Sequence, residues 1–262
     1  MTEQTQDEDK MPLLDHLVEL RTRLMYAAGG FLLAFIICFY FANPMFDFLV
    51  EPLAGLWEGE ADRHMIYTAL HEKFFTNIKV AFFAAAFISF PIIAGQIWMF
   101  VAPGLYRDEK SAFLPFLIAT PVLFLAGASL VYYFVMPVAW QFFASFQSLG
   151  AEGGLPIEML PKVGEYLSLV MRLIFAFGIS FELPVLMTLL ARVGIVTSEG
   201  LKKKRRYAIV AAFIAAAILT PPDPLSQISL AIPIILLYEI SIISARLIER
   251  KREKQEAEDD AE

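Results

Sequence analysis

The segment DHLVELRTRL, Asp15 to Leu24, places His16, Glu19, Arg21 and Arg23 just ahead of the first long apolar run. On a helix Glu19 reaches Arg23 at i,i+4, so one reading is a charged flank holding an internal ion pair. A second cluster, WMFVAPGLYRDEK from Trp98 to Lys110, follows the second apolar run. It sets Phe100, Pro103, Arg107, Asp108 and Glu109 in or beside a short loop. A solvated turn is the plain reading of that loop. Acidic residues do nothing to orient an apolar run, however, since lysine and arginine do that. Carboxylates placed near Glu19 therefore point to a cationic ligand. One more carboxylate, Glu182, stands alone in AFGISFELPVLM, and Thr220, Asp223 and Gln227 surround the turn TPPDP.

Other chemistries have no residues to carry them. There is no GxxxxGK[ST] loop for phosphates, no HExxH and no GxSxG. His16, His64 and His71 lack a third ligand at a metal-binding spacing, so neither a metal nor a nucleotide cofactor is expected. The single cysteine, Cys38, excludes an intramolecular disulfide and any CxxC site. An energy source for any work must then come from a partner or a gradient, and an enzyme is not expected.

The elements that position these residues are set by composition. The chain of 262 residues is 58% hydrophobic and 19% charged, with a mean hydropathy of +0.59. A soluble domain averages roughly 25% charged residues. The apolar residues fall in blocks whose lengths suit a hydrocarbon core of about 30 Å. Short alternating segments, which a membrane barrel would need, do not occur. The expectation is an all-α integral membrane protein with six transmembrane helices near residues 24–41, 75–101, 112–135, 167–193, 207–220 and 225–245. Residues 1–11 and 247–262 read as charged, disordered tails on a membrane domain spanning 12–246. The first ten residues are acidic, so no cleavable leader is expected.

Lysine and arginine set the topology. Sixteen of them fall in the N-terminal flank, the two loops after the second and fourth runs, and the C-terminal tail, against three (Arg63, Lys73, Lys162) in the opposite loops. Both termini are thus expected on the cytoplasmic side. The long loops 42–74 and 137–166 are expected to hold short interfacial helices.

The fifth run has only about fourteen residues between Arg206 and Pro221, roughly 21 Å of helix against a core of roughly 30 Å. Either its basic flank extends it, or the bilayer thins there. Glu182 lies about fifteen residues, roughly 22 Å, into the fourth run. A carboxylate at that depth must be protonated, paired or facing water, so it is expected to face the protein interior.

The motifs HLVELRTRL, FANPMFDFLVEPL, FFTNIKVAFF, FPIIAGQIWMFVAPGLYRDEK, AFGISFELPV, KKKRRYAIV and LTPPDPLSQISLAIPIILLYEI occur in this order. Together they resemble TatC, the multispanning core of the twin-arginine protein translocase, over nearly the whole chain. The resemblance implies a concave bundle with short fifth and sixth spans in the bacterial cytoplasmic membrane. It implies a receptor for the twin-arginine signal peptides of folded cargo, self-association, single-span TatA and TatB partners, and export driven by the proton-motive force. It further implies that Glu19, Arg21, Phe100, Pro103, Arg107 and Glu109 bind the signal peptide. By the same resemblance Glu182 lines a groove; Thr220, Asp223 and Gln227 dock partners; and Pro52 and Phe75 shape an outer cap. The chemistry agrees, because a guanidinium fork matches a carboxylate in two parallel hydrogen bonds and a lysine does not. Glu239 is close enough to Arg246 to snorkel or pair, and a structural role is expected for it.

From the residues alone, a proton-coupled small-molecule transporter with Glu182 as proton carrier stands level with a receptor. Such transporters often show internal repeats and paired broken helices, and this sequence shows no matching halves.

Overall fold

A computed structural model of the chain describes residues 13–57, 64–101, 114–148, 155, 157–192, 194–220 and 224–259. Its helices are α1 (Leu13–Tyr40), α2 (Ala42–Ala54), α3 (Glu72–Val101), α4 (Leu114–Leu130), α5 (Met136–Ala144), α6 (Val163–Phe181), α7 (Leu183–Arg192), α8 (Ser198–Lys203), α9 (Arg205–Leu219) and α10 (Pro224–Asp259). Among the described residues no β-strand forms; extended pairing is limited to two isolated bridges. Five stretches are long and apolar enough to cross a membrane: His16–Tyr40, Glu72–Phe100, Pro115–Ala144, Val163–Arg192 and Ser226–Lys251. The fifth expected run, α9, has 15 residues, about 22 Å, so its flank does not extend it to a full crossing length.

Two expectations fail in the last helix. The sixth span is not short, since the apolar stretch Ser226–Lys251 of α10 has 26 residues, about 39 Å. The segment from 247 onward, expected to be disordered, is helical as far as Asp259. No glycine or proline follows Pro233 before that point, and Arg, Lys, Glu, Gln and Ala all favour helix. The N-terminal tail, residues 1–11, lies outside the described residues.

Proline accounts for the irregularities. Pro137 has no N–H to return to the carbonyl four residues back. The preceding turn widens into a π-helix over Val131–Val135, where the Met136 N–H donates to Val131 O. Helix continues beyond it as α5, so the third run ends at Ala144 and not near residue 135. Pro184 likewise interrupts the fourth run, which divides at Glu182 into α6 and α7. Gly194, in the left-handed region at φ 79°, follows α7 and turns the chain toward α8.

Contacts group the chain into two compact units, residues 1–41 with 81–121 and residues 42–80 with 122–262. In the first, α1 meets α3 where Gly30 faces Ile92 and Phe31 sets its ring edge against Phe82 at 4.9 Å. The Trp98 indole N–H donates to Thr120 Oγ1 at 3.0 Å, tying α3 to α4. Most of α1 turns its apolar side chains outward; Leu24, Met25, Leu32, Leu33 and Ile36 are all exposed. In a chain built for a bilayer this face meets lipid.

In the second unit, Phe124, Leu167, Val170, Phe177 and Leu230 are fully buried. The two long loops interlock as well as carrying helix. Ile66 N–H donates to Pro161 O, and Val163 N–H donates to Ile66 O. The Glu72 carboxylate accepts from the N–H groups of Thr68, Ala69 and Gly164.

Pro52 gains a physical role here. It lies inside α2 and cannot donate to the Phe48 carbonyl four residues back. The Tyr132 hydroxyl donates to that carbonyl at 2.6 Å while its ring stacks on Phe48 at 4.5 Å. Tyr166 does the same for Leu49 O at 3.1 Å. Tyr132→Phe keeps the stack and removes only the donor, so it should cost about 1 kcal/mol in thermal unfolding of the detergent-solubilised protein. In a Pro52→Ala background the new N–H serves Phe48 O, and the cost of Tyr132→Phe should shrink to what the hydroxyl's other contact, Glu51 Oε2 at 3.2 Å, contributes. Equal costs in both backgrounds would disprove the pairing.

Candidate functional site

The charged flank of α1 and the far end of α3 lie together in the first unit. The turn spacing of α1 puts Glu19 and Arg23 on one face, and Arg23 Nη2 lies 3.1 Å from Glu19 Oε1. Arg23 Nε donates to the same oxygen at 3.3 Å. On its other side the guanidinium reaches α3, with Nη1 at 3.5 Å from Gln96 Oε1 and 3.4 Å from Met99 Sδ. One turn earlier on α1, the His16 ring stacks on Phe100 at 4.4 Å and 18°. Glu19 and Phe100 are thereby held in one patch.

Two features of this patch matter chemically. The pair retains only 29% and 20% side-chain exposure for Arg23 and Glu19, so solvent screens it less than a surface pair. Both Arg23 bonds to Glu19 fall on Oε1, and among the described residues none reaches Oε2. The carboxylate is thus half engaged and not locked in a two-oxygen fork. Arg21, two residues beyond Glu19, points elsewhere on the helix and is exposed. Pro103, Arg107 and Glu109 lie outside the described residues, as does Asp223.

Residues 15–233 match the family described as Sec-independent protein translocase protein (TatC). The chain belongs to the TatC family. It is 55% identical over 255 residues to the Sec-independent protein translocase protein TatC of Magnetococcus marinus, covering 97% of this chain and 91% of that one. Identity to the TatC of Rickettsia prowazekii is 48%, over 91% of this chain and 94% of the relative. It is 39% to the TatC of Escherichia coli K12, over 95% and 93%. A crystal structure of a twin-arginine translocase receptor, TatC, superposes with a TM-score of 0.76 at 37% identity, covering 89% of this chain and 99% of that one. This TatC chain is therefore a translocase component of the twin-arginine system and a multi-pass membrane protein, with the all-helical fold expected from its sequence.

The other expected site residues of this TatC fall in the second unit. Glu182 sits in the break between α6 and α7 and is half-buried. Its N–H donates to Ile179 O and its carbonyl accepts from Leu186 N–H. Thr220 is buried at the end of α9 and donates through Oγ1 to Ala216 O at 2.9 Å. Gln227 Nε2 on α10 donates to Phe213 O of α9 at 3.3 Å. These donors serve the α9 backbone. Pro52 is half-buried in α2, whereas Phe75 at the start of α3 is exposed beside Phe74 and His71.

Glu239 takes a structural role by pairing with Arg205 across α9 and α10, and not through its sequence neighbour Arg246. Arg246 stands seven residues along α10, two turns or about 10 Å away, while α9 begins beside Glu239. At the same end, the Glu249 carboxylate accepts from Ser198 N–H and Ser198 Oγ and so caps α8 from α10. Sequence reading passed over Gln96 and Met99. Their only signal was the 3–4 residue spacing that puts Gln96, Met99 and Phe100 on one helix face.

Proposed function

We propose that this chain is the signal-peptide receptor of its twin-arginine system. The observation that carries this is the α1–α3 patch, where Glu19 Oε2 has no partner among the described residues and Phe100 stacks on His16 one turn earlier. An arginine of the signal peptide donates to Glu19 Oε2 or displaces Arg23, and Glu109, soon after the end of α3, takes the second arginine. By resemblance to the family, Arg21, Pro103 and Arg107 also contribute to peptide binding. The carboxylates discriminate by shape as well as charge, because the guanidinium is a planar fork and an ammonium is a point charge.

The remaining assignments follow from this reading. Both termini are cytoplasmic, as the lysine and arginine distribution supports, and α9 is a sixth, short span in the bacterial inner membrane. Ile209, Val210, Ile214 and Ile218 expose an apolar face on α9, which suits docking of the single-span TatA and TatB subunits near Thr220, Asp223 and Gln227. Glu182, at the α6–α7 break, keeps a wet path beside that helix. Folded cargo then passes under the proton-motive force. Pro52 and Phe75 belong to the outer cap. No observation favours the small-molecule transporter.

Binding of a labelled twin-arginine peptide to the detergent-solubilised protein tests this, beside a twin-lysine peptide and the variants Glu19→Ala and Glu109→Ala. Twin-arginine binding should exceed twin-lysine binding by at least about tenfold and fall by about as much in each variant, one charge-assisted hydrogen bond being worth roughly 1.5–3 kcal/mol. Equal binding of both peptides, untouched by either substitution, would break the carboxylate model.

A further inference from the structure

A cavity of about 410 Å³ opens in the second unit. Its walls include Leu53, Phe143, Trp140, Tyr166 and Leu169, and Thr220 closes one side where α9 stops. Three charged residues line it: Lys162, Glu165 and Arg172. The residues contributed by α6 follow from helical spacing. Glu165, Leu169 and Arg172 are separated by four and three positions and form one stripe, with Lys162 one turn ahead of it.

The depth of Arg172 is the telling feature. It lies nine residues into α6 from Val163, about 13 Å along the axis, within a stretch long and apolar enough to cross a membrane. A cation at such a depth needs an anion, or it must reach toward the water boundary. Lys162 and Glu165 pair at 3.4 Å near the start of the helix, at 42% and 77% side-chain exposure. A pair that exposed is weak and easily exchanged. Because Glu165 offsets one of the two cations, the three charged groups sum to one positive charge, and Arg172 supplies it. The surroundings fit an amphiphile. Aromatic rings with polar edges, Trp140 and Tyr166, stand beside purely apolar Leu53, Leu169 and Phe143, the mixture found where headgroups meet acyl chains.

We propose that this cavity is a binding site for an anionic membrane phospholipid. Its phosphodiester sits between the Arg172 guanidinium and the Lys162 ammonium, and its acyl chain lies on Leu53, Leu169 and Phe143. Arginine suits the role, since its fork takes two phosphate oxygens at once. The lipid fills the space beyond the end of α9 and neutralises a charge that the bilayer would otherwise exclude. This inference is independent of the receptor reading.

The test is lipid retention by the purified full-length protein, read by native mass spectrometry after titration with phosphatidylglycerol or phosphatidylcholine. The wild type should retain phosphatidylglycerol several-fold better than phosphatidylcholine. Arg172→Gln should bring the two to the same level, and Lys162→Gln should lower the preference in part. Lys202→Gln with Lys204→Gln, which removes exposed charge elsewhere in this unit, should leave the preference as in the wild type. A thermal melt of each variant verifies that it is folded, and phosphatidylglycerol should raise the wild-type midpoint but not that of Arg172→Gln. An unchanged preference in Arg172→Gln overturns the site. Release of phosphatidylglycerol by millimolar inorganic phosphate overturns the lipid as its occupant in favour of a free anion.

Discussion

Gly127→Ala and Gly178→Ala should each lower the thermal midpoint of the purified protein, while Gly29→Ala should not. The two sensitive glycines form a reciprocal contact between α4 and α6. A Cβ at Gly127 would stand 2.6 Å from the backbone carbonyl oxygen of Phe177, and a Cβ at Gly178 would stand 2.5 Å from the Phe124 ring. Neither neighbour can give way, since one is main chain and the Phe124 ring is 1% exposed. Adding a methyl group to a filled interface costs about 1–3 kcal/mol. Glycine to alanine in a helix returns up to about 1 kcal/mol through propensity, so the clash decides the sign. At Gly29 nothing lies within 4 Å, and only the propensity gain remains. Small residues that let helix backbones approach are the usual means of packing helices in lipid, where burial of apolar surface gives little drive. A Gly127→Ala protein that melts at or above the wild-type temperature would show that α4 and α6 are not in such contact.

The long helices were legible because apolar length is a direct physical requirement of the bilayer. The shortness of α9 was legible from the distance between its basic flank and the proline turn. Helix in the loop after α1 was also anticipated, and α2 supplies it. What the sequence hid were partners distant in the chain. Nothing in Pro52 names Tyr132 as the donor that relieves its orphan carbonyl, and nothing in Glu72 names Gly164. Glu239 was assigned by sequence proximity to Arg246, and tertiary packing gave it Arg205 instead. The charged end of α10 misled because high charge marks disorder by composition, while the same residues are strong helix formers when they continue an existing helix. At the site, the i,i+4 rule found the Glu19–Arg23 pair. It could not say that the same arginine also reaches α3, or that only one carboxylate oxygen is engaged.

That single engaged oxygen allows a sharper test of Glu19 than its removal. The double substitution Glu19→Arg with Arg23→Glu keeps an i,i+4 ion pair on α1 and keeps the net charge. It moves the carboxylate about one turn, some 5.4 Å, away from Phe100 and sets a guanidinium in its place. If Glu19 only stabilises α1, the swap leaves peptide binding as in the wild type and costs only the Arg23 contacts to Gln96 and Met99 plus part of a pair worth about 0.3–0.5 kcal/mol, which is weaker with the acid on the C-terminal side. If Glu19 receives an arginine, the swap removes a charge-assisted acceptor worth roughly 1.5–3 kcal/mol and adds repulsion. Twin-arginine peptide affinity should then drop by at least about tenfold, while the thermal midpoint falls only by what the lost Arg23 contacts to α3 contribute. Glu19→Gln belongs beside it, because the amide oxygen still accepts from Arg23 while the charge is gone. Its binding should fall between wild type and the swap. A swapped protein that binds the peptide as tightly as the wild type would leave Glu19 as a helix-stabilising residue only, and would transfer arginine recognition to Glu109 and its loop.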